Sequence, residues 1–137
     1  MKIYLASRYS RRKELQKYAR SLTSDGHNIT SRWLWGNHQI DGKGLSIEAK
    51  KSERERFAKE DFNDLMSADV IISFMEIPRS TNSRGGRHVE FGIALASKKR
   101  CIIVGPRENV FHYLPWIEVF ENITEVNQSL NSRQATP

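Results

Sequence analysis

A carboxylate near the start of an apolar helix is the first chemical candidate in the chain. Glu90 lies in SRGGRHVEFGIALA (83–96), a segment that is apolar after its arginines except at His88 and Glu90. A charged group near a core is costly unless it is paired or hydrogen-bonded. In the first helical turn the dipole stabilises a carboxylate, which suits a nucleophile or a stabiliser of positive charge. The alternative is an acid that serves helix stability alone.

Asp61 is the second candidate, because it shares the apolar stripe of another predicted helix. It lies at i+3 in a series whose other members are Ala58, Phe62 and Leu65. Near the carboxyl end of a helix the dipole disfavours an anion, so the pKa of Asp61 is expected to rise. A raised pKa favours a role in proton transfer, and the alternative is a boundary residue exposed to solvent. Asp64 and Asp69 look like ordinary surface and strand-start residues.

One ionised and one protonatable carboxylate form the pair that cleavage of a glycosidic bond requires. The ionised group forms a covalent intermediate at the sugar, and the other group protonates or holds the departing group. Three aromatic side chains, Trp33, Trp35 and Phe74, are candidates for stacking on a base or for the core.

Arginines cluster in two loop-like stretches, at Arg8, Arg11 and Arg12 and again at Arg84 and Arg87. With the net charge of +6, these clusters favour a phosphate or another anion, or simply a solvated basic surface. A nucleic-acid-binding face would need a longer basic stripe, so we expect no nucleic-acid partner. Ser10 is expected near a helix start, either at an anion site or as a cap. The loop has neither GxGxxG nor GxxxxGK[ST], so the dinucleotide and P-loop motifs are not indicated.

Apolar runs and amphipathic segments alternate along the chain. Strands are predicted at KIYLA (2–6), HNITSRWLW (27–35), ADVIISF (68–74), RCIIVG (100–105) and WIEVF (116–120). Helices are predicted near 11–23, 46–67 and 88–99, with a short one after 121. Alternation with fully apolar middle strands predicts a flavodoxin-like, doubly wound, parallel five-stranded sheet with helices on both faces. The ligand site is then expected beyond the carboxyl ends of the strands.

Length and composition predict one soluble domain spanning residues 1–137, with a frayed tail from about 131. No secretory signal or membrane-spanning run is apparent. The single cysteine, Cys101, lies in an apolar strand and fits a reducing, cytoplasmic setting as an inert thiol. The histidines show no metal-ligand spacing, so we expect no metal and no cofactor.

Four segments together resemble the nucleoside 2-deoxyribosyltransferase family and the related nucleoside-monophosphate N-glycosidases. They are IYLASRYSRR, DFNDLMSADVIISF, GGRHVEFGIALASKK and CIIVG, and the resemblance extends over residues 2–105. It implies a flavodoxin-like sandwich that assembles as a homodimer or larger homo-oligomer. It also implies that Glu90 is the nucleophile at C1′ of a (deoxy)ribosyl group and that Asp61 contacts the base and handles protons.

The resemblance also supplies a substrate-binding set from the first loop and from the loop before Glu90. The deoxyribosyltransferases often have an aspartate six residues before the nucleophile, where this chain has Arg84, and this basic loop would suit a 5′-phosphate. Arg8, Ser10, Arg11 and Arg87 are the residues assigned to the phosphate. The full predicted set is Ser7, Arg8, Tyr9, Ser10, Arg11, Trp33, Arg84, Gly86, Arg87 and His88.

We therefore predict an enzyme that cleaves the N-glycosidic bond of nucleosides or their 5′-monophosphates and transfers the sugar to another nucleobase. Hydrolysis of a monophosphate and a non-catalytic nucleotide-binding module are the alternatives. The expected partners are the nucleoside or nucleotide and the free base.

Overall fold

Five parallel strands form one sheet in the order β2-β1-β3-β4-β5. The computed structural model describes residues 1–36, 47–81 and 85–135. The strands are β1 (Lys2–Ala6), β2 (Asn28–Ile29), β3 (Val70–Phe74), β4 (Arg100–Val104) and β5 (Glu118–Phe120). Every residue of β3 is buried, as expected for a strand that is covered on both faces.

Within the described ranges, four α-helices connect or follow these strands. They are α1 (Arg12–Ser24), α2 (Ile47–Ser67), α3 (Gly86–Ala96) and α4 (Ile123–Ala135). Leu15, Ala19 and Leu22 face the core from α1 at the spacing of one helical face. Right-handed crossovers place α1 on one face of the sheet and α2 and α3 on the other. The predicted flavodoxin-like, doubly wound fold is confirmed.

The strand order reverses direction between β1 and β3. β1 pairs with β2 on one side and with β3 on the other, all in parallel. The chains leaving β1 and β3 therefore diverge to opposite faces of the sheet and open a crevice at their carboxyl ends. The loops after residues 6, 74 and 104 meet at this edge, which we call the carboxyl edge.

Gly105 begins the loop after β4 and lies close to the backbone that leaves β3. Its φ is +104°, and a Cβ atom at this position would lie 3.1 Å from the carbonyl oxygen of Met75. Both the backbone conformation and the contact favour glycine, so the carboxyl edge is closely packed at this point.

The predicted strand at 27–35 was too long, because β2 ends at Ile29 and a 3-10 helix covers Arg32–Leu34. Side chains replace the missing ladder bonds. The Ser31 hydroxyl accepts a hydrogen bond from the N–H of Leu5 at 3.1 Å, and the indole N–H of Trp33 donates to the carbonyl of Leu5 at 2.8 Å. Apolar content alone did not distinguish this buried turn from a strand.

The buried stripe of α2 is also rotated from its predicted position. Ala58 and Phe62 are exposed, whereas Asp64, Leu65 and Ala68 are buried. The prediction that Asp64 is a surface residue was wrong. Its carboxylate accepts hydrogen bonds from the backbone N–H and the guanidinium of Arg32 at 2.8 to 3.1 Å, which satisfies the buried charge.

Other boundaries shift by a few residues. Helix α3 begins at Gly86, two residues before the predicted start, and α4 continues to Ala135, into the tail that was predicted to be frayed from about residue 131. A 3-10 helix at Val110–Tyr113 lies within a predicted loop. Among the residues described, no helix is long and apolar enough to cross a membrane, and no group of acidic, histidine or cysteine side chains is arranged to hold a metal ion.

Candidate active site

The two candidate carboxylates lie on adjacent helices that cover the same strand. Glu90 belongs to α3 and Asp61 to α2, and both helices pack against β1. The hydroxyl of Tyr4, in the middle of β1, donates a hydrogen bond to the Oε2 atom of Glu90. Tyr4 is completely buried, so this bond joins the carboxyl group to the centre of the core.

Glu90 differs in its electrostatics from the sequence prediction. It is the fifth residue of α3 and therefore lies beyond the first turn, where the helix dipole would stabilise a carboxylate most. Burial raises the pKa of Glu90 to about 8, an effect that the Tyr4 hydrogen bond opposes and the charge of Asp61 strengthens. The carboxyl group is thus protonated in most molecules at neutral pH, not persistently ionised as predicted.

Asp61 has the raised pKa that was predicted, for a different main reason. Burial raises the pKa of Asp61 to about 7, with further contributions from the charges of Asp64 and Glu60. The helix dipole was the predicted cause. Because Asp61 also raises the pKa of Glu90, the two carboxyl groups are coupled, and the pair holds one proton over a range around neutral pH.

The first-loop arginines are held by carboxylates of the chain itself. The guanidinium of Arg11 donates to Glu14 at 2.8 and 2.9 Å and to Glu76 at 2.7 Å. Arg8 makes a longer contact, 3.5 Å, with the other carboxylate oxygen of Glu76. Glu76 directly follows Met75 at the end of β3, so these ion pairs lie at the carboxyl edge.

Arg87 is held in a similar way by the loop after β4. Its side chain is 3% exposed and pairs with Glu108 through contacts of 2.8 to 3.3 Å. The backbone N–H of Glu76 donates to the same carboxylate at 2.9 Å. Burial raises the pKa of Glu108, but this N–H and the guanidinium of Arg87 outweigh it, so the net shift is downward.

His88 lies beside this ion pair, with its Nε2 atom 3.7 Å from Glu108. Its ring packs against that of His112, with centroids 5.9 Å apart. Burial, with the charge of Arg87, lowers the pKa of His88, so the imidazole is neutral at physiological pH. The imidazole of His112 is buried and accepts a hydrogen bond from the N–H of Glu108 at 2.9 Å, which fixes the loop that presents Glu108.

The remaining first-loop residues have varied environments. Ser7 is buried and donates to the carbonyl of Arg8, whereas Ser10 is exposed. Neither the 3-10 helix at Tyr9–Arg11 nor α1 has a side-chain cap, so the alternative that Ser10 caps a helix is not supported. Tyr9 is half-buried beside the Trp33 ring at 6.3 Å and under the guanidinium of Arg12 at 5.0 Å.

The aromatic candidates for base stacking separate into core and surface. Trp33 is 6% exposed with its indole N–H bonded to Leu5, and Phe74 is 1% exposed and stacks on Tyr18, so both belong to the core. Trp35 is 53% exposed under the guanidinium of Arg20. The half-buried Tyr9 is therefore the aromatic side chain of the first loop that remains accessible to a ligand.

The glycine loop before Glu90 is described only in part. Gly85 precedes α3 with a φ of 83°, a conformation that favours glycine, and Gly86 is the first helical residue. Arg84 lies outside the described residues, so its predicted contact with substrate stays a prediction.

Sequence reasoning missed three residues of this region: Tyr4, Glu76 and Glu108. A tyrosine in an apolar strand needs a partner for its hydroxyl, and that requirement pointed to a nearby polar group. Glu76 and Glu108 each follow a buried strand by a short distance, at the edge where ligands of parallel sheets bind. These two acids were not predicted because the arginines of the same loops indicated an anionic ligand.

The sequence matches no protein-family model, and no curated protein is similar to it. Its structure, however, is similar to two solved enzymes. One is a 2-deoxyribosyltransferase of Bacillus psychrosaccharolyticus, with a TM-score of 0.68, 21% identity, and coverage of 92% of this chain and 90% of the enzyme. The other is a CMP N-glycosidase of Clostridium botulinum, with a TM-score of 0.59, 16% identity, and coverage of 96% and 99%. The chain has the fold of these two enzymes. The resemblance predicted from sequence is confirmed at this level.

Proposed function

We propose that the chain cleaves the N-glycosidic bond of nucleosides and transfers the sugar to a second nucleobase. The observation that supports this most directly is a pair of half-buried carboxyl groups. Glu90 accepts a hydrogen bond from Tyr4, and the charge of Asp61 raises the pKa of Glu90. The similarity to a 2-deoxyribosyltransferase and a CMP N-glycosidase supports the same chemistry.

In the proposed first step, the Glu90 carboxylate attacks C1′ of the sugar and forms a glycosyl ester. The bond between C1′ and the base nitrogen breaks, and its electron pair leaves with the base. Asp61 donates its proton to the departing base. In the second step a nitrogen of the incoming base attacks C1′ and breaks the ester, which restores the Glu90 carboxylate, and the proton of that nitrogen returns to Asp61.

The reactive state has one proton on the pair, held by Asp61. The pKa values of about 8 for Glu90 and about 7 for Asp61 mean that the empty site favours the opposite placement. The form with Glu90 ionised is therefore the minor one of the two singly protonated forms. Positive charge that develops at C1′ favours the ionised form, so substrate binding and reaction draw on this minor state.

The charges at the carboxyl edge favour a neutral nucleoside as substrate. Three guanidinium groups (Arg8, Arg11, Arg87) are matched by three carboxylates (Glu14, Glu76, Glu108). A second candidate is hydrolysis of a nucleoside 5′-monophosphate. It is supported by Arg8, whose side chain is 39% exposed and whose ion pair with Glu76 is long, at 3.5 Å.

A chromatographic assay separates these candidates. The protein is incubated with a panel of nucleosides and their 5′-monophosphates, with and without a second base. A new nucleoside that forms only when the second base is present is the expected result. Free base and sugar phosphate from monophosphates alone would establish hydrolysis instead, and a protein that binds nucleotides but forms no product would be a binding module.

Substitution of the proposed nucleophile tests the covalent step. Glu90→Ala and Glu90→Gln should each lower turnover at least about a thousandfold, because no carboxylate remains to form the ester. Mass spectrometry of the intact parent protein mixed with nucleoside should detect one added glycosyl group, which both variants should lack. Turnover within tenfold of the parent, with a native circular dichroism spectrum, would remove Glu90 from this role.

We also propose that the protein works as a homo-oligomer in a reducing compartment such as the cytoplasm. Phe62, Met66 and Val89 are large apolar side chains exposed on the outer surfaces of α2 and α3, and a second copy of the chain would cover them. The buried thiol of Cys101, whose pKa is raised by burial to about 11, is suited to an inert packing role in such a compartment.

A further inference from the structure

Glu76 lies at the place in this fold where ligands of open parallel sheets bind. It follows the last residue of β3 by two positions. Because β3 pairs with β1, this point lies at the crevice where the strand order reverses. In open parallel sheets, ligands bind at this point. Here the chain places a carboxylate of its own among the arginines of the first loop.

The two carboxylate oxygens of Glu76 are held unequally. Oε2 accepts a hydrogen bond from the Arg11 guanidinium at 2.7 Å. Oε1 has the longer, 3.5 Å contact with Nε of Arg8, and the Glu76 side chain is 13% exposed. In its contacts with the residues that the structure describes, Oε1 is the less engaged of the two oxygens of Glu76 and can accept a further hydrogen bond.

The backbone of Glu76 is fixed at the same time. Its N–H donates to Glu108, which is itself held by Arg87 on α3 and by its own N–H to His112. The preceding residue, Met75, donates its N–H to the carbonyl of Val104 at 2.9 Å. The carboxylate is therefore preorganised by contacts from the ends of β3 and β4, the first loop and α3.

We propose that Glu76 determines substrate specificity: its Oε1 atom accepts a hydrogen bond from the 5′-hydroxyl of a nucleoside, and its charge excludes a 5′-phosphate. This inference rests on the proposed function, because it assigns a ligand group to the same site. A hydroxyl can donate to a carboxylate, whereas a phosphate has two negative charges near neutral pH and no donor once ionised. Glu76 and Glu14 together offset the charges of Arg8 and Arg11, which removes the positive charge that a phosphate would need.

The test measures binding and turnover separately. Affinities for 2′-deoxyadenosine, 2′-deoxycytidine, their 5′-monophosphates and inorganic phosphate are measured by calorimetry in the Glu90→Gln background, where turnover does not interfere. The same titrations are repeated with Glu76→Gln added. Glu14→Gln is the matched control, because Glu14 also pairs with Arg11, at 2.8 Å, but lies on α1 and not on the loop after β3.

With Glu76 present, we expect each nucleoside to bind at least about tenfold more tightly than its monophosphate, since unscreened like charges repel strongly. Glu76→Gln should lower this ratio about tenfold or more and give inorganic phosphate a measurable affinity. Glu14→Gln removes one charge from the same cluster but not the proposed hydrogen-bond acceptor, so it should lower the ratio by clearly less. Glu76→Asp keeps the charge and should still exclude the monophosphate, which covers the case in which Glu76→Gln does not fold.

Equal affinity of nucleoside and monophosphate for the Glu76 protein would overturn the inference. So would an unchanged ratio in a folded Glu76→Gln protein, or the failure of any nucleoside to bind. The failure of the proposed function looks different. In that case the ratio of affinities shifts as expected, but protein with Glu90 intact releases no base from any compound.

Discussion

At the scale of single residues, the hydrogen bond from Tyr4 to Glu90 favours the ionised form of the proposed nucleophile. This bond lowers the pKa of Glu90, against the larger effect of burial. Tyr4→Phe should therefore shift the rising limb of the pH–rate profile to higher pH and lower the rate at pH 7 about tenfold. Tyr18→Phe is the matched control, because Tyr18 donates to Glu14 at 2.8 Å, on the first turn of α1. An unshifted profile in Tyr4→Phe would contradict the assignment.

Asp61 should act on the departure of the base more than on binding. Asp61→Asn removes the proton donor and should lower kcat about a hundredfold with a much smaller change in KM. It also removes a charge that raises the pKa of Glu90, so the rising limb of the profile should move to lower pH. Asp69→Asn, at an exposed acid that accepts the N–H of Lys2 at 3.1 Å, is the control. A loss of stability alone, with kcat preserved, would make Asp61 a structural residue.

The raised pKa of Glu90 has a consequence for stability. The folded protein binds this proton with a pKa of about 8, against 4.5 for an ordinary glutamate. The stabilising contribution of protonated Glu90 is therefore complete below pH 4.5 and is lost as the pH rises through 8. Glutamine stays neutral at high pH, so Glu90→Gln avoids the loss of stability that ionisation of Glu90 causes. It should raise the melting temperature relative to the parent by roughly 5 °C at pH 9, but little at pH 5.

Thermal unfolding followed by circular dichroism at both pH values measures this difference. Asp69→Asn provides the comparison, because it changes an exposed acid and should shift the melting temperature little at either pH. A Glu90→Gln protein that is less stable than the parent at pH 9 would show that burial of the ionised carboxylate does not destabilise the fold.

At the scale of the elements, the loop after β4 depends on Gly105. Gly105→Ala should destabilise the fold by about 1–3 kcal/mol, because φ is +104° and the new Cβ would press on Met75. Gly92→Ala is a control of opposite sign. That glycine lies within α3 with open space around its Cβ position, so alanine should stabilise the helix by up to about 1 kcal/mol. Urea unfolding measures the free energy of unfolding of both variants. Equal changes in Gly105→Ala and Gly92→Ala would contradict the argument from backbone conformation.

The helices and strands also show which parts of the fold could be predicted from the sequence. Unbroken apolar runs such as residues 70–74 predicted buried parallel strands correctly, and the i, i+4, i+7 pattern of Leu15, Ala19 and Leu22 predicted α1. The turn at 32–34 was missed because its bonds come from Ser31 and Trp33 side chains to β1. Such pairings join positions far apart in the chain, which local periodicity does not report.

The candidate site was predicted in the same uneven way. Glu90 and Asp61 drew attention because each is an acid in an apolar pattern, and the structure places both beside β1. The arginines were assigned to phosphate from their clustering and from the resemblance to the nucleoside-monophosphate N-glycosidases. Their partners Glu76 and Glu108 follow other strands, so the neutral balance of the cluster becomes visible only when the sheet brings these loops to one edge.

At the scale of the whole molecule, the proposed homo-oligomer is tested by light scattering after gel filtration. The parent should have the mass of a dimer or larger assembly. Phe62 is 49% exposed on α2. Phe62→Lys should reduce that mass, because the lysine of the variant would have to bury its charge in the interface. Phe111→Lys, at a phenylalanine 64% exposed on the loop after β4, should leave it unchanged. A monomeric parent would refute the proposal.

The pairing of Glu76 with Arg8 and Arg11 bears on how such a protein can diversify. A glutamate codon becomes a glutamine codon by a single base change, and this change alone would take the cluster of Arg8, Arg11, Arg87, Glu14, Glu76 and Glu108 from neutral to positive. The two candidate substrate classes, nucleosides and their monophosphates, would then be separated by one mutational step, with the catalytic carboxyl groups left in place. The catalytic carboxyl groups and the residue that selects the substrate could thus change independently by mutation.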